Sequence, residues 1–186
     1  MEEHRLWIKI TDSEEGGILE TDRLKLRRMK ESDYDSLCLM LRDEEVMYAY
    51  EHAFDAQEAH EWLTRQLDRY KTYGFGLWSV ILKETGEMIG QCGITMQDCD
   101  GRQVMEVGYL FRKEFWHQGF ASEAAKACKE YAFDELGAEE IYSIIRVNNS
   151  ASRAVAERNG MTVRGSFVKH YYGMDMEHLI YAVEKA

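Results

Sequence analysis

The stretch Glu106-Val107-Gly108-Tyr109-Leu110-Phe111-Arg112-Lys113-Glu114-Phe115-Trp116-His117-Gln118-Gly119-Phe120-Ala121-Ser122-Glu123-Ala124 decides the fold class. Its opening residues are apolar and aromatic, as in a strand, and a short loop then runs to Gly119. Beyond the glycine, apolar or small residues at 121, 124, 125, 128, 131 and 132 recur with a helical period, and Gly137 stops the helix. The first amides of a helix have no partner inside it and point together where the helix dipole is positive. Gly119 and Ala121 leave that backbone uncovered, so a phosphate can sit there. The same residues also suit an ordinary strand-to-helix loop that uses Gly119 for its turn.

Working outward, residues 75–82, 88–96 and 104–111 read as three strands. The turns at Glu84-Thr85-Gly86-Glu87 and Asp98-Cys99-Asp100-Gly101 join them into an antiparallel meander. Before it lie an alternating strand at 23–29 and a helix opened by Ser32-Asp33-Tyr34-Asp35. A second helix runs from the start signal Asp55-Ala56-Gln57-Glu58 to about Tyr73, with Ala59, Trp62, Leu63 and Leu67 as its apolar stripe. After the long helix come a strand at 141–147, a short helix at 150–159 and a terminal strand pair at 163–168 and 178–183. These elements predict one mixed α/β domain over residues 18–186, preceded by an extension at 1–17. Within that extension Leu6-Trp7-Ile8 suits an edge strand or a tail that packs down.

Composition narrows the partners. The chain has 186 residues and no proline, where average usage would give about nine, so it holds no proline-stiffened linker. With 34 acidic residues against 23 Lys and Arg, the net charge of −11 argues against nucleic acid and anionic membranes. No basic, apolar leader opens the sequence, so a cytoplasmic location is expected. Cys38, Cys92, Cys99 and Cys128 are scattered without a CxxC pair and are expected as reduced, mostly packed thiols. No metal is expected either: His60-Glu61-Trp62-Leu63-Thr64 lacks the second histidine of a zinc-protease helix. His117 is expected to be a solvated loop residue, and Trp62 and Trp78 to belong to the core.

The run Trp116-His117-Gln118-Gly119-Phe120-Ala121-Ser122-Glu123-Ala124 resembles the coenzyme A pyrophosphate loop of the GNAT N-acetyltransferases, in particular the RimJ/RimL-like branch. Further stretches agree in order: Leu19-Glu20-Thr21-Asp22-Arg23-Leu24-Lys25-Leu26-Arg27, Ile89-Gly90, Glu106-Val107-Gly108-Tyr109, Asn149-Ser150-Ala151-Ser152 and Val155-Ala156-Glu157-Arg158-Asn159-Gly160-Met161. The resemblance spans residues 18–184. It implies a twisted mixed sheet of about seven strands, flanked by helices on both faces, with its two central strands splayed apart. Acetyl-CoA is the implied cosubstrate. Its pantetheine arm would pair with main-chain groups near Leu110 and Phe111, and its pyrophosphate with the amides of Gln118, Gly119, Phe120, Ala121 and Ser122. Asn149 would also contact the coenzyme, a role compatible with capping a helix.

The implied reaction is direct attack of an amine on the thioester. Glu106 matches a family glutamate and is the candidate base; a solvated or substrate-binding carboxylate is the alternative. The oxyanion donor would be an amide near Phe111. Many family members place a tyrosine acid on the last helix where this chain has Ala156, which leaves Ser152, Tyr171, Tyr172 or no acid at all to meet the leaving thiolate. In the connector 43–55, Glu44, Glu45, Glu51 and Asp55 alternate with Tyr48, Tyr50, His52 and Phe54. This suits a cationic acceptor such as a protein N-terminus or polyamine, or else marks a solvated acidic loop. A homodimer is compatible with the sequence, and a non-catalytic acyl-CoA sensor is the alternative function.

Overall fold

The structure, a computed structural model, describes residues 8–9 and 17–186. The chain runs β1 (Ile8–Lys9), β2 (Gly17–Glu20), β3 (Leu24–Arg27), α1 (Tyr34–Leu41), α2 (Ala56–Tyr73), β4 (Leu77–Leu82), β5 (Met88–Cys99) and β6 (Arg102–Phe111). It continues through α3 (Phe120–Glu135), β7 (Glu140–Arg146), α4 (Ser150–Arg158), β8 (Thr162–Tyr171) and β9 (Met174–Glu184). The nine strands form one sheet in the order β1-β2-β3-β4-β5-β6-β7-β9-β8. The seven expected strands are all present. The two further strands, β1 and β2, extend the sheet beyond β3 with Ile8 opposite Glu20 and Gly17 opposite Arg27. Leu6 and Trp7 lie outside the described residues.

Local chemistry sets the boundaries. At the start of α2, Asp55 Oδ1 accepts the Glu58 amide at 2.8 Å while Glu58 Oε2 accepts the Asp55 amide at 2.9 Å. This reciprocal cap stabilises the helix start by about 1 kcal/mol. The hairpin between β5 and β6 turns through Asp100 and Gly101, whose φ values of 52° and 81° suit the tight turn expected there. The hairpin β8–β9 is longer than the expected pair. Its strands run on to a turn at Tyr172-Gly173, and their far ends are too polar and exposed to show an apolar alternation.

Alternation along β4 and β5 divides the core between two faces. Trp78 and Cys92 point towards α3, with Trp78 edge-on to Tyr131 at 5.4 Å and Cys92 Sγ 3.6 Å from Cys128 Sγ. Ser79 and Gln91 point the other way. Ser79 reaches Asp33 ahead of α1, and Gln91 reaches Trp62 on α2. All four cysteines are free thiols, and Cys92, Cys99 and Cys128 are buried. Asp33 takes a bidentate pair from Arg27 at 2.7 and 2.8 Å, together with the Lys30 amide and the Ser79 hydroxyl. Burial opposes its charge, but Arg27, the Lys30 amide and Ser79 outweigh it and hold the carboxyl below its ordinary range.

Every strand pair is antiparallel except β6/β7. The two strands of that pair are in register only at Glu106 opposite Tyr142. Neighbouring β5 and β6, by contrast, stay paired from Cys99–Arg102 to Gly90–Phe111. The sheet therefore opens into a wedge between its two central strands, beyond Glu106.

Candidate active site

A cavity of about 460 Å³ occupies this wedge and continues beneath α2 and the β8–β9 hairpin. Hydrogen bonds along β6 tell which backbone groups face it. The Arg112 amide bonds Ile89 O at 3.0 Å, and bonded pairs alternate along an antiparallel ladder. Leu110 thus gives its main chain to its register partner Gln91, while Val107, Tyr109 and Phe111 turn theirs towards β7. Consistent with that parity, Val107 O accepts the Ser143 hydroxyl at 2.9 Å and Phe111 O accepts Trp116 Nε1 at 2.9 Å. The main chain of Leu110 is thus committed to β5, whereas those of Tyr109 and Phe111 face β7, and Leu110 lines the cavity.

Past β6, the chain makes one 3-10 turn at Lys113–Phe115 and reaches α3 through His117 and Gly119, both with positive φ, 60° and 83°. His117 is exposed, as expected of a loop histidine. Phe120 buries its ring against the core, so what it can offer a ligand is its amide. The first bond inside α3 runs from the Glu123 amide to Gly119 O, which leaves the amides of Phe120, Ala121 and Ser122 outside the helix's own ladder.

The loop is tied to the front of the sheet. Glu123 Oε1 accepts the Thr21 hydroxyl at 2.5 Å and the Arg23 amide at 3.1 Å, and Glu123 Oε2 accepts Arg23 Nε at 2.7 Å. Arg23 also donates to Gln118 O at 3.0 Å and lies 4.3 Å from the centre of the Phe120 ring. Two motifs about a hundred residues apart in the sequence thus form one clamp. A side chain at 119 would combine an unfavourable φ with a Cβ 3.4 Å from the Arg23 guanidinium.

Glu106 lies where the wedge opens. Its Oε1 accepts the Ile144 amide from β7 at 2.8 Å. Burial raises its pKa above the ordinary carboxylate range, with the Ile144 amide, Lys169 and Arg69 pulling the other way. Asn149 caps α4: its Oδ1 accepts the Ser152 amide at 3.0 Å and the Tyr48 hydroxyl at 2.7 Å. Ser152 O accepts the Tyr109 hydroxyl at 2.8 Å, so the Ser152 hydroxyl is the group at that position still able to donate. Glu106, Tyr109, Leu110, Asn149 and Ser152 all line the cavity, whereas Ala156 is buried behind them.

Several wall residues went unrecognised in the sequence. Arg65 and Arg69 belong to α2, Lys169 to β8 and His178 to β9. His178 Nδ1 lies 2.9 Å from Met176 O, which makes that nitrogen the donor and leaves Nε2 to accept. Burial lowers its pKa against the Met176 bond, and Lys169 and Arg146 lower it further, which favours the neutral ring. Trp62 is only half-buried and lines the cavity rather than the core centre. The connector behaves differently from its composition. Tyr50 and Phe54 reach the cavity, but its acids do not. Glu45 pairs with Lys113, Glu51 with Arg146, Asp55 caps α2, and Glu44 is exposed. The connector's acids therefore give no support to a cationic acceptor. A heptad-like spacing of Trp62, Arg65 and Arg69 was the available signal for a basic stripe on α2. Among the described residues no helix is long and apolar enough to cross a membrane.

Residues 23–162 match the family model described as the Acetyltransferase (GNAT) domain. YkkB of Bacillus subtilis is 40% identical over 144 residues, covering 77% of this chain and 84% of its own length. An acetyltransferase structure from Agrobacterium tumefaciens superposes with a TM-score of 0.77 at 25% identity, covering 96% of this chain and 98% of that one. A RimL ribosomal L7/L12 alpha-N-protein acetyltransferase in complex with coenzyme A has the same fold, with a TM-score of 0.71 at 20% identity over 88% of this chain and 95% of that one.

Proposed function

Because the chain belongs to the GNAT acetyltransferase family, we propose that it transfers the acetyl group of acetyl-CoA to a primary amine held beside Glu106. The observation that carries this reading is the parting of β6 and β7 at Glu106–Tyr142, next to the uncovered start of α3. The residues fit the coenzyme in two ways. Main-chain groups at Tyr109 and Phe111 face the wedge, where an extended amide-bearing arm can add as a strand. The amides of Phe120, Ala121 and Ser122, with Gly119 ahead of them, suit a pyrophosphate. When bound, acetyl-CoA supplies an acetyl group activated as a thioester.

This chain's own groups do the rest. Glu106 takes the proton of the incoming ammonium, directly or through water, and its raised pKa brings its basicity closer to neutral pH. The Tyr109 amide, turned to the wedge and nearer to Glu106 along β6 than Phe111, stabilises the oxyanion. The departing thiolate takes up the proton that the attacking nitrogen releases, and the Ser152 hydroxyl donates a hydrogen bond to it from a backbone fixed by the Asn149 cap and the Tyr109 bond. The test is Glu106→Gln. It should lower amine-dependent thiol release about 100-fold and leave acetyl-CoA affinity by calorimetry unchanged. Wild-type activity should rise with pH through an apparent pKa above the ordinary carboxylate range, and the variant should lose that limb. An unchanged rate and pH profile in the variant would remove Glu106 from the role of base.

A further inference from the structure

The cavity wall carries both signs, Arg65, Arg69, Arg146 and Lys169 together with Glu58, Glu61 and Glu106. Glu58, Glu61, Trp62, Arg65 and Arg69 form one stripe along α2 that faces the cavity and turns from acidic to basic towards β5. At the acidic end Glu58 pairs with His52 at 2.9 Å, and Glu61 accepts from the neutral Gln57 amide at 2.9 Å. The basic end is not neutralised. Arg69 bonds the neutral Gln66 Oε1 at 3.0 Å, Arg65 lies 5.8 Å from the Trp62 ring centre, and neither has an ion pair among the described residues. Lys169, across the cavity, lies 5.6 Å from the centre of the Phe167 ring and likewise has no ion pair among them.

A second observation points the same way. Gln91 is fully buried, and its Oε1 accepts Trp62 Nε1 at 3.0 Å. An indole N–H can only donate, so this bond fixes the amide's orientation and turns Nε2 away from Trp62. Gln91 Nε2 is buried without a hydrogen-bond partner among the described residues, and Gln91 lines the cavity. A buried, unused donor in the same cavity as two guanidinium groups that have no ion pair among the described residues suits an acceptor that bears negative charge.

Resting on the proposed acetyl transfer, we infer that the acceptor is a free α-amino acid, with its carboxylate on Arg69, Arg65 and Gln91 and its amine towards Glu106. Arg65, Arg69, Gln91 and Glu106 line the same cavity, so one acceptor can meet a carboxylate-binding end and the candidate base together. Its side chain would meet Tyr50, Phe54 and Trp62, whose rings cluster edge-on at 5.8 to 6.1 Å, so an apolar or aromatic amino acid fits best. A protein N-terminus has no carboxylate next to its amine and leaves the arginines unused.

Matched acceptors test this: phenylalanine and leucine, their carboxamides, phenethylamine, and peptides that begin with the same residues. Thiol release at saturating acetyl-CoA and calorimetric binding, with and without coenzyme A, are both measured. The free acid should exceed its carboxamide about tenfold or more in kcat/KM, as one charge-assisted hydrogen bond would give. Arg69→Gln should collapse that ratio through KM, and Arg69→Lys should restore part of it. Carboxamides or peptides that match or outperform the free acids would overturn the inference and leave acetyl transfer standing. A ratio unchanged in Arg69→Gln would overturn it too, since Arg69 would then serve Glu106 alone. A panel in which no free acid binds would also overturn it. Failure of acetyl-CoA itself to bind would instead defeat the proposed function, while binding without coenzyme would still compare acid with amide.

Discussion

Glu106 carries two duties that pull in opposite directions. Its carboxylate closes the β7 ladder by accepting the Ile144 amide, yet burial disfavours its charge. A group whose pKa is raised on folding stabilises the native state below its unfolded-state pKa of about 4.3 and loses that contribution as pH rises through the native value. Glutamine keeps an oxygen for Ile144 without the charge. Glu106→Gln is therefore expected to unfold at a higher temperature than wild type at neutral pH, with the gap closing towards acid pH. A variant less stable than wild type at neutral pH would show that the ionised carboxylate is well accommodated. The sequence made Glu106 legible as a candidate because it sits in a recognisable stretch. It gave no sign of the Ile144 bond, which spans two strands that meet only in the folded sheet. His178 and Gln91 were unreadable for the same reason, since each owes its place in the wall to its strand's position in the sheet and not to a local pattern.

Among elements, the loop into α3 shows best how sequence motifs combine in space. The glycine, the small residues after it and the helix start were all legible. The reason for Glu123 was not, because its partners Thr21 and Arg23 come from the approach to β3. The clamp holds the loop in one conformation, and ordering one residue's backbone costs about 1–2 kcal/mol. Glu123→Ala is accordingly expected to weaken acetyl-CoA binding about tenfold in calorimetry. Its exposed ion pair should contribute less than about 1 kcal/mol to unfolding. Unchanged coenzyme affinity would make the clamp a structural tie with no bearing on the loop. The ladder of β6 supplies the complementary lesson. Sequence located the strand, but only the register with β5 decides that Tyr109 and not Leu110 offers its main chain to the wedge. The connector between α1 and α2 reverses an expectation in the same way, because its acids find partners elsewhere while its aromatics turn inward.

For the molecule as a whole, the order of elements was readable from periodicity, turns and caps, and the helices on both faces of the sheet from the family resemblance. Of the sheet's extra edge only the option of an edge strand reaching Ile8 was readable, since β1 and β2 are too short to show an alternation of their own. Net charge was the least informative global quantity. The net charge of −11 gives no hint that the cavity wall also carries Arg65, Arg69 and Lys169, which have no ion pair among the described residues. What joins the scales is the wedge between β6 and β7, which presents Glu106, free main-chain groups and the α3 start to one space. The most direct measurement follows both products of one reaction mixture, acetylated amine by mass spectrometry and free coenzyme A by thiol titration. Acetyl transfer at this site predicts equal amounts of the two, with rates that saturate in acetyl-CoA and in amine. Tight acetyl-CoA binding with no acetylated amine from any acceptor would contradict it and make the protein an acyl-CoA sensor.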